Sequence, residues 1–107
     1  MHARTIEWHD GTVITIDQTR LPSQEVILKM RNCDDVVEAI KSMKIRGAPL
    51  LGAAAAFALA LVAYHSKAKN RGELINELEK AAEILKRTRP TGVNLFWAVE
   101  RVLDKAR

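Results

Sequence analysis

The feature that most restricts the fold of this chain is the apolar run at residues 50–64, from Leu50 through Gly52 and a string of alanines to Tyr64. A helix that is apolar on every side has no face to offer water, so other elements must wrap it. Its small side chains let those elements approach closely. The run therefore predicts the central helix of a packed domain. It is shorter than the roughly 20 residues a membrane span needs, and Gly52 interrupts it, so no membrane association is expected.

The remaining residues must supply the wrapping. Before position 31 the pattern is that of strands. Thr5-Ile6-Glu7-Trp8 and Thr12-Val13-Ile14-Thr15-Ile16 are rich in β-branched and aromatic residues. Asp10-Gly11 between them is a two-residue hairpin signal, because both positions tolerate positive φ. A loop through Arg20-Leu21-Pro22 leads to a third alternating stretch at 25–30. From Asn32 the period becomes helical. Asn32 is a cap, Asp34 and Asp35 suit the positive first turn, and Val36, Ile40 and Met43 form a face beside Val37. This helix is expected to run to Arg46-Gly47, with Gly47 in the left-handed conformation that ends helices. Pro49 fits the first turn of the central helix. Asn70 with Glu73 is a capping pair for a third helix, whose apolar face is Leu74, Leu78, Ala81 or Ala82, and Leu85. Thr91 is a cap for a fourth, at about 93–105, with Leu95, Val99 and Val102 as its stripe and Phe96 and Trp97 alongside. The expected fold is α+β: antiparallel strands over residues 1–30 in a hairpin or three-stranded sheet, then a four-helix bundle-like unit over 32–107, all in one domain.

Charge and cysteine content exclude several functions. The formal charge of +4 permits an anionic ligand. Acids are interleaved with the bases and no basic stripe carries aromatics, so nucleic acid is not an expected partner. Cys33 is the single cysteine and has no internal disulfide partner. The polar first ten residues do not resemble a signal peptide, and a cytoplasmic location is expected.

Two junctions suit an anion. Ile45-Arg46-Gly47-Ala48-Pro49 opens the central helix, and Arg89-Pro90-Thr91-Gly92-Val93-Asn94 opens the fourth. A helix start presents unpaired N–H groups and the positive end of the macrodipole. An arginine beside it adds bidentate recognition of phosphate. The plainer reading of each is a helix corner: glycine for the turn, proline for the restart, an arginine in solvent. His2, His9 and His65 lack ligand partners at metal-binding spacing, so no metal is expected. Cys33 near a helix start reads as a small first-turn residue, with no base beside it to make it a nucleophile. Asp34 and Asp35 read as helix-start acids, and Asp17-Gln18 as a turn or packing pair. There is no Walker loop and no dinucleotide-binding glycine fingerprint.

Arg4-Thr5-Ile6-Glu7-Trp8, Asp10-Gly11, Ile16-Asp17-Gln18 and Leu21-Pro22 together resemble the opening of methylthioribose-1-phosphate isomerases. Ile45-Arg46-Gly47-Ala48-Pro49 with the alanine run is similar to their N-terminal motif. Arg89-Pro90-Thr91-Gly92-Val93-Asn94-Leu95 matches a further segment, with Gly92 where alanine is usual. The resemblance covers essentially the whole chain. It implies an N-terminal domain that is followed in the family by a Rossmann-like catalytic domain, absent from these residues. It implies aldose-to-ketose isomerisation of 5-methylthioribose 1-phosphate in methionine salvage, with no metal or organic cofactor. The family's proposed catalytic cysteine and aspartate belong to the second domain. No catalytic residue is therefore assigned here, and Cys33 does not lie in that motif. Arg46, Gly47, Ala48 and Arg89 match the substrate-binding positions and are expected to hold the phosphate of a sugar phosphate.

The resemblance also admits a ribose-1,5-bisphosphate or deoxyribose-phosphate isomerase, and a non-catalytic regulatory subunit of the translation initiation factor 2B type. The opening hairpin is expected to be lacking in the regulatory chains. The family further implies a homodimer. The fourth helix carries more apolar surface than one stripe needs, so the second domain is its expected packing partner, and self-association is expected without it.

Overall fold

The computed structural model describes residues 6–17, 19, 23–24, 26–89 and 92–107. Thr5, the loop through Arg20-Leu21-Pro22, Glu25 and the expected cap Thr91 lie outside the described residues. The elements are β1 (Ile6–His9), β2 (Thr12–Ile16), β3 (Ile27–Met30), α1 (Cys33–Lys41), α2 (Ala48–His65), α3 (Arg71–Thr88) and α4 (Val93–Ala106). This is the expected α+β architecture of a three-stranded antiparallel sheet followed by four helices.

The hairpin turns where Asp10 and Gly11 take φ of 47° and 82°, both positive, as a type I′ turn requires. Trp8 pairs with Val13, and Val13 with Met30. Residues directly opposite share a face of a sheet, and this face packs on α2. The Trp8 ring stacks at 6.2 Å on Phe57 and meets Tyr64 edge-on at 5.7 Å. A side chain at Gly11 would collide with the Tyr64 ring, its Cβ only 2.5 Å from Cε1. The sheet thus covers the C-terminal half of α2 and leaves the N-terminal end to other elements.

The alanine-rich helix is central, as its composition predicts. Packed against it are α1, α3, α4 and β1, and Ala54, Ala55, Ala58, Leu59 and Leu61 have no exposed surface. The helix reaches 18 residues with a mean hydropathy of 1.7, long and apolar enough by those measures to cross a membrane. The expectation that the run was too short for that is therefore corrected; 39% of the helix is buried inside the protein.

Two caps follow their sequence signals. The Asp35 amide donates to Asn32 Oδ1 at 2.8 Å while Asp35 Oδ2 accepts from the Arg31 amide at 3.0 Å. Asn70 and Glu73 repeat the arrangement at the start of α3. Such reciprocal capping satisfies donors the helix itself cannot.

The end of α1 differs from expectation. The helix stops at Lys41, and Met43, not Gly47, takes the left-handed turn at φ 65°. The Lys44 amide donates to the Ala39 carbonyl at 2.9 Å and the Met43 amide to the Ile40 carbonyl at 3.2 Å. These two bonds make a Schellman termination with methionine in the position glycine usually holds. Met43 therefore leaves the α1 face and is 41% exposed, while Val36, Val37 and Ile40 stay buried. On α4 the buried stripe is Leu95, Val99 and Leu103, with Val102 half-buried. Trp97 is 63% exposed and Val93 76%.

Candidate functional site

After the Schellman turn, Ile45 has no exposed surface and pins the connection into the core, which leaves Arg46 outside. Gly47 follows at φ 90° and ψ 134° and serves as the N-cap of α2, without a side-chain hydrogen bond. Nothing lies within 4 Å of where a Cβ on Gly47 would sit, so glycine is needed there for its backbone, not for space. The first intrahelical bond runs from the Leu51 amide to the Gly47 carbonyl at 2.9 Å. The amides of Ala48 and Leu50 precede it and point out of the helix start.

The fourth helix begins in the same manner. Gly92 is its N-cap, again without a side-chain bond, and its amide closes a turn onto the Arg89 carbonyl at 2.9 Å. The two starts lie side by side. At Gly52 a Cβ would be 3.4 Å from the Asn94 carbonyl oxygen and 3.7 Å from Ala98 Cβ. The early turns of α2 therefore run against the early turns of α4, with both N-termini at one end. Ala48, Leu51, Gly92, Val93, Asn94 and Leu95 line a groove of about 290 Å³ between them.

Electrostatics separate this end from the other helix starts. The first turns of α1 and α3 carry Asp34, Asp35 and Glu73, whereas those of α2 and α4 carry no acid. Two dipole ends of the same sign lie together uncompensated, which favours an anion. Arg89, half-buried, sends its guanidinium toward the α1–α2 connection. Nη2 lies against Met43 Sδ and 3.5 Å from the Ile40 carbonyl. Among the described residues neither Arg46 nor Arg89 has a carboxylate partner, while Lys86 and Arg107 are paired with Glu100 and Glu79. Of the expected site residues the structure brings Ala48 to the shared groove; Gly47 caps the helix beside it, and Arg46 and Arg89 do not line the groove, Arg89 turning instead toward the α1–α2 connection that carries Arg46.

A larger groove, about 560 Å³, continues from the same end along α2 and α4. Ala53 and Ala56 floor it, Trp97 and Arg101 wall it, and Ala48 and Asn94 border both grooves. The Arg101 guanidinium lies 5.1 Å over the Trp97 ring. Sequence reading took Asn94 only as a helix-start residue and Trp97 only as a flank of the apolar stripe. The available signal was the small-residue spacing at Ala48, Gly52 and Ala56, which marks a face open to close approach.

The other candidates stay apart from this end. Cys33 is the first residue of α1, and burial, reinforced by the Asp34 carboxylate, pushes its thiol up to about 11. It is a protonated packing group at neutral pH, not a nucleophile. His9 closes β1, with Nε2 3.7 Å from Glu7 Oε1. His65 ends α2 and donates from Nε2 to the Arg31 carbonyl at 2.9 Å. Asp17 is buried and accepts from the Thr19 amide at 2.9 Å.

Known proteins resemble this chain throughout. The model of the Initiation factor 2 subunit family matches residues 44–107. The methylthioribose-1-phosphate isomerase of Trichlorobacter lovleyi is 49% identical over 99% of this chain, and that of Geobacter metallireducens 50% identical over 95%. The chain spans only 31% and 30% of those two proteins. Among solved structures, 5-methylthioribose 1-phosphate isomerase from Pyrococcus horikoshii OT3 superposes with a TM-score of 0.87 at 51% identity, over 94% of this chain and 28% of that one. Translation initiation factor eIF-2B, subunit delta, from A. fulgidus also gives 0.87, at 44% identity over 96% of this chain and 30% of that one. Coverage that complete includes the opening hairpin, so the hairpin does not separate these two relatives as the sequence suggested.

Proposed function

The chain belongs to the initiation factor 2 subunit family, and on that premise we propose that it is the phosphate-binding part of an aldose–ketose isomerase acting on 5-methylthioribose 1-phosphate. The observation that carries this reading is the pairing of two acid-free helix starts, at Gly47 and Gly92, each preceded by an arginine. Identities near 50% to proteins named as that isomerase supply the sugar. In the proposal the amides of α2 and α4 receive the phosphate oxygens. Arg46 and Arg89 neutralise the charge and fix its orientation. The sugar lies along the larger groove toward Trp97.

Holding the phosphate leaves the sugar ring oriented for general acid–base groups that open it and move the proton between carbons. Because the matching relatives are about three times as long, we place those groups on a second, Rossmann-like domain, packed over exposed Val93 and Trp97. The same reading makes the complete enzyme a cytoplasmic homodimer without metal or organic cofactor.

The test is Arg46→Ala in the complete enzyme, assayed with 5-methylthioribose 1-phosphate. Losing one charge-assisted contact, worth roughly 1.5–3 kcal/mol, should lower kcat/KM by about ten- to a hundredfold. An unchanged kcat/KM would sink the reading. The structural likeness to the eIF-2B delta subunit supports a second one, a regulatory subunit without turnover. Complete absence of isomerase activity in the wild-type protein, with the fold intact, would favour it.

A further inference from the structure

Along α2, Ala54, Ala55 and Ala58 have no exposed surface, whereas Gly52, Ala53 and Ala56 are only half-buried. Those three line the larger groove, with Trp97 and Arg101 of α4 beside them. Trp97 is 63% exposed, and the Arg101 guanidinium lies over its ring. An indole that open at the edge of a cleft is a large apolar surface without a partner. The groove's volume, about 560 Å³, lies within the range of small-ligand sites, about 300–1,000 Å³. Ala48 and Asn94 border both this groove and the smaller one between the two helix starts, so the grooves meet there. From Ala48 to Ala53 the helix advances roughly 7.5 Å. A ribose with phosphate on C1 and a substituent on C5 is of similar length.

We propose that this groove seats the 5-methylthio group, and that Trp97 and Ala53 determine which C5 substituent the protein accepts. The proposal rests on the reading of the helix starts as the phosphate site. Relatives near 50% identity are named for a methylthioribose phosphate, which sets a thioether at the far end of the ligand. The alanine side chains offer no hydrogen bond, so a C5 hydroxyl placed on them loses its water without replacement. A thioether loses little, and its sulfur gains contact with the Trp97 ring. The rival occupant is a C5 phosphate, because Arg101 and Lys105 also line the groove. Arg101, however, is engaged with the indole. Lys105 follows Trp97 by two turns of α4, roughly 12 Å, beyond the reach of one sugar.

Complete enzyme carrying Trp97→Ala or Ala53→Leu is compared with wild type. The readouts are KM for 5-methylthioribose 1-phosphate and the inhibition constants of ribose 1-phosphate and ribose 1,5-bisphosphate as competitors. Wild type should favour the thioether over both. Trp97→Ala removes a wall and Ala53→Leu fills the space between. Each should raise KM by about ten- to a hundredfold, the worth of a small apolar group in a pocket, with the ribose 1-phosphate constant within about threefold. A tryptophan that only packs beneath a second domain weakens both ligands alike. Equal losses for the two, or an unchanged KM in both variants, therefore overturn the proposal and leave the phosphate reading standing. Ribose 1,5-bisphosphate binding tighter than the thioether also overturns it and gives the groove to a second anion. Unchanged kcat/KM in Arg46→Ala, or no turnover by wild type, overturns the phosphate reading and this proposal with it.

Discussion

Replacing Gly47 and Gly52 by alanine, one at a time, should move stability in opposite directions. Gly47 sits at φ 90° and ψ 134°, where an L residue costs about 1–3 kcal/mol. Since nothing lies within 4 Å of the new Cβ, that cost is wholly backbone. Alanine also restricts the unfolded chain, which offsets about 0.4–1 kcal/mol. The net expectation is a loss of roughly 1–2 kcal/mol, or about 5–10 °C in melting temperature for a domain of this size. Gly52 lies inside α2, and its new Cβ would be 3.4 Å from the Asn94 carbonyl oxygen, an ordinary contact. Removing a glycine from a helix interior is worth roughly 0.5–1 kcal/mol, so Gly52→Ala should melt a few degrees higher. Thermal melts followed by circular dichroism measure both, and urea titrations with an unchanged m-value confirm that stability alone has moved. If Gly47→Ala melts with wild type, the backbone argument is wrong. If Gly52→Ala is as damaging as Gly47→Ala, the spacing between α2 and α4 is tighter than these distances imply.

Two further expectations concern single residues. The Gly92→Ala change, to the residue usual in the resembling segment, places a Cβ 3.0 Å from Arg89 Cβ. It should shift Arg89 by a few tenths of an ångström and change KM while leaving helix content alone; an identical KM would show that Arg89 tolerates the shift. Cys33, with its thiol pushed up to about 11, should react with iodoacetamide more slowly than a free thiol at pH 8–9. Above the ordinary thiol pKa the folded state binds more protons than the unfolded one, so stability should fall as pH rises from about 9 toward 11. A Cys33→Ser variant with the same alkaline decline would refute that assignment.

What was legible in the sequence was mostly local. Asn32 with Asp35, Asn70 with Glu73, and Asp10-Gly11 each act within four residues, and each sits where its pattern says. The end of α1 was not legible because Met43 takes a conformation that local preference assigns to glycine. The Arg89 side chain it meets is distant in sequence. On α4 a helical period permits either Val102 or Leu103 in the stripe. Packing chose Leu103, and only the neighbours decide such a choice. The two arginine junctions were visible as separate motifs. That they open onto one groove depends on α2 and α4 running side by side, a pairing that no local pattern encodes.

The aromatic clasp of Trp8, Gly11 and Tyr64 closes on the far end of the same helix whose beginning carries the proposed anion site. Roughly 24 Å of helix, at 1.5 Å per residue, lies between Ala48 and Tyr64. Perturbations that far apart, with no shared partners, combine additively. The hairpin and the ligand end can therefore drift through sequence space on separate schedules: a homologue can remodel its sheet without retuning its affinity, and its affinity without remodelling its sheet.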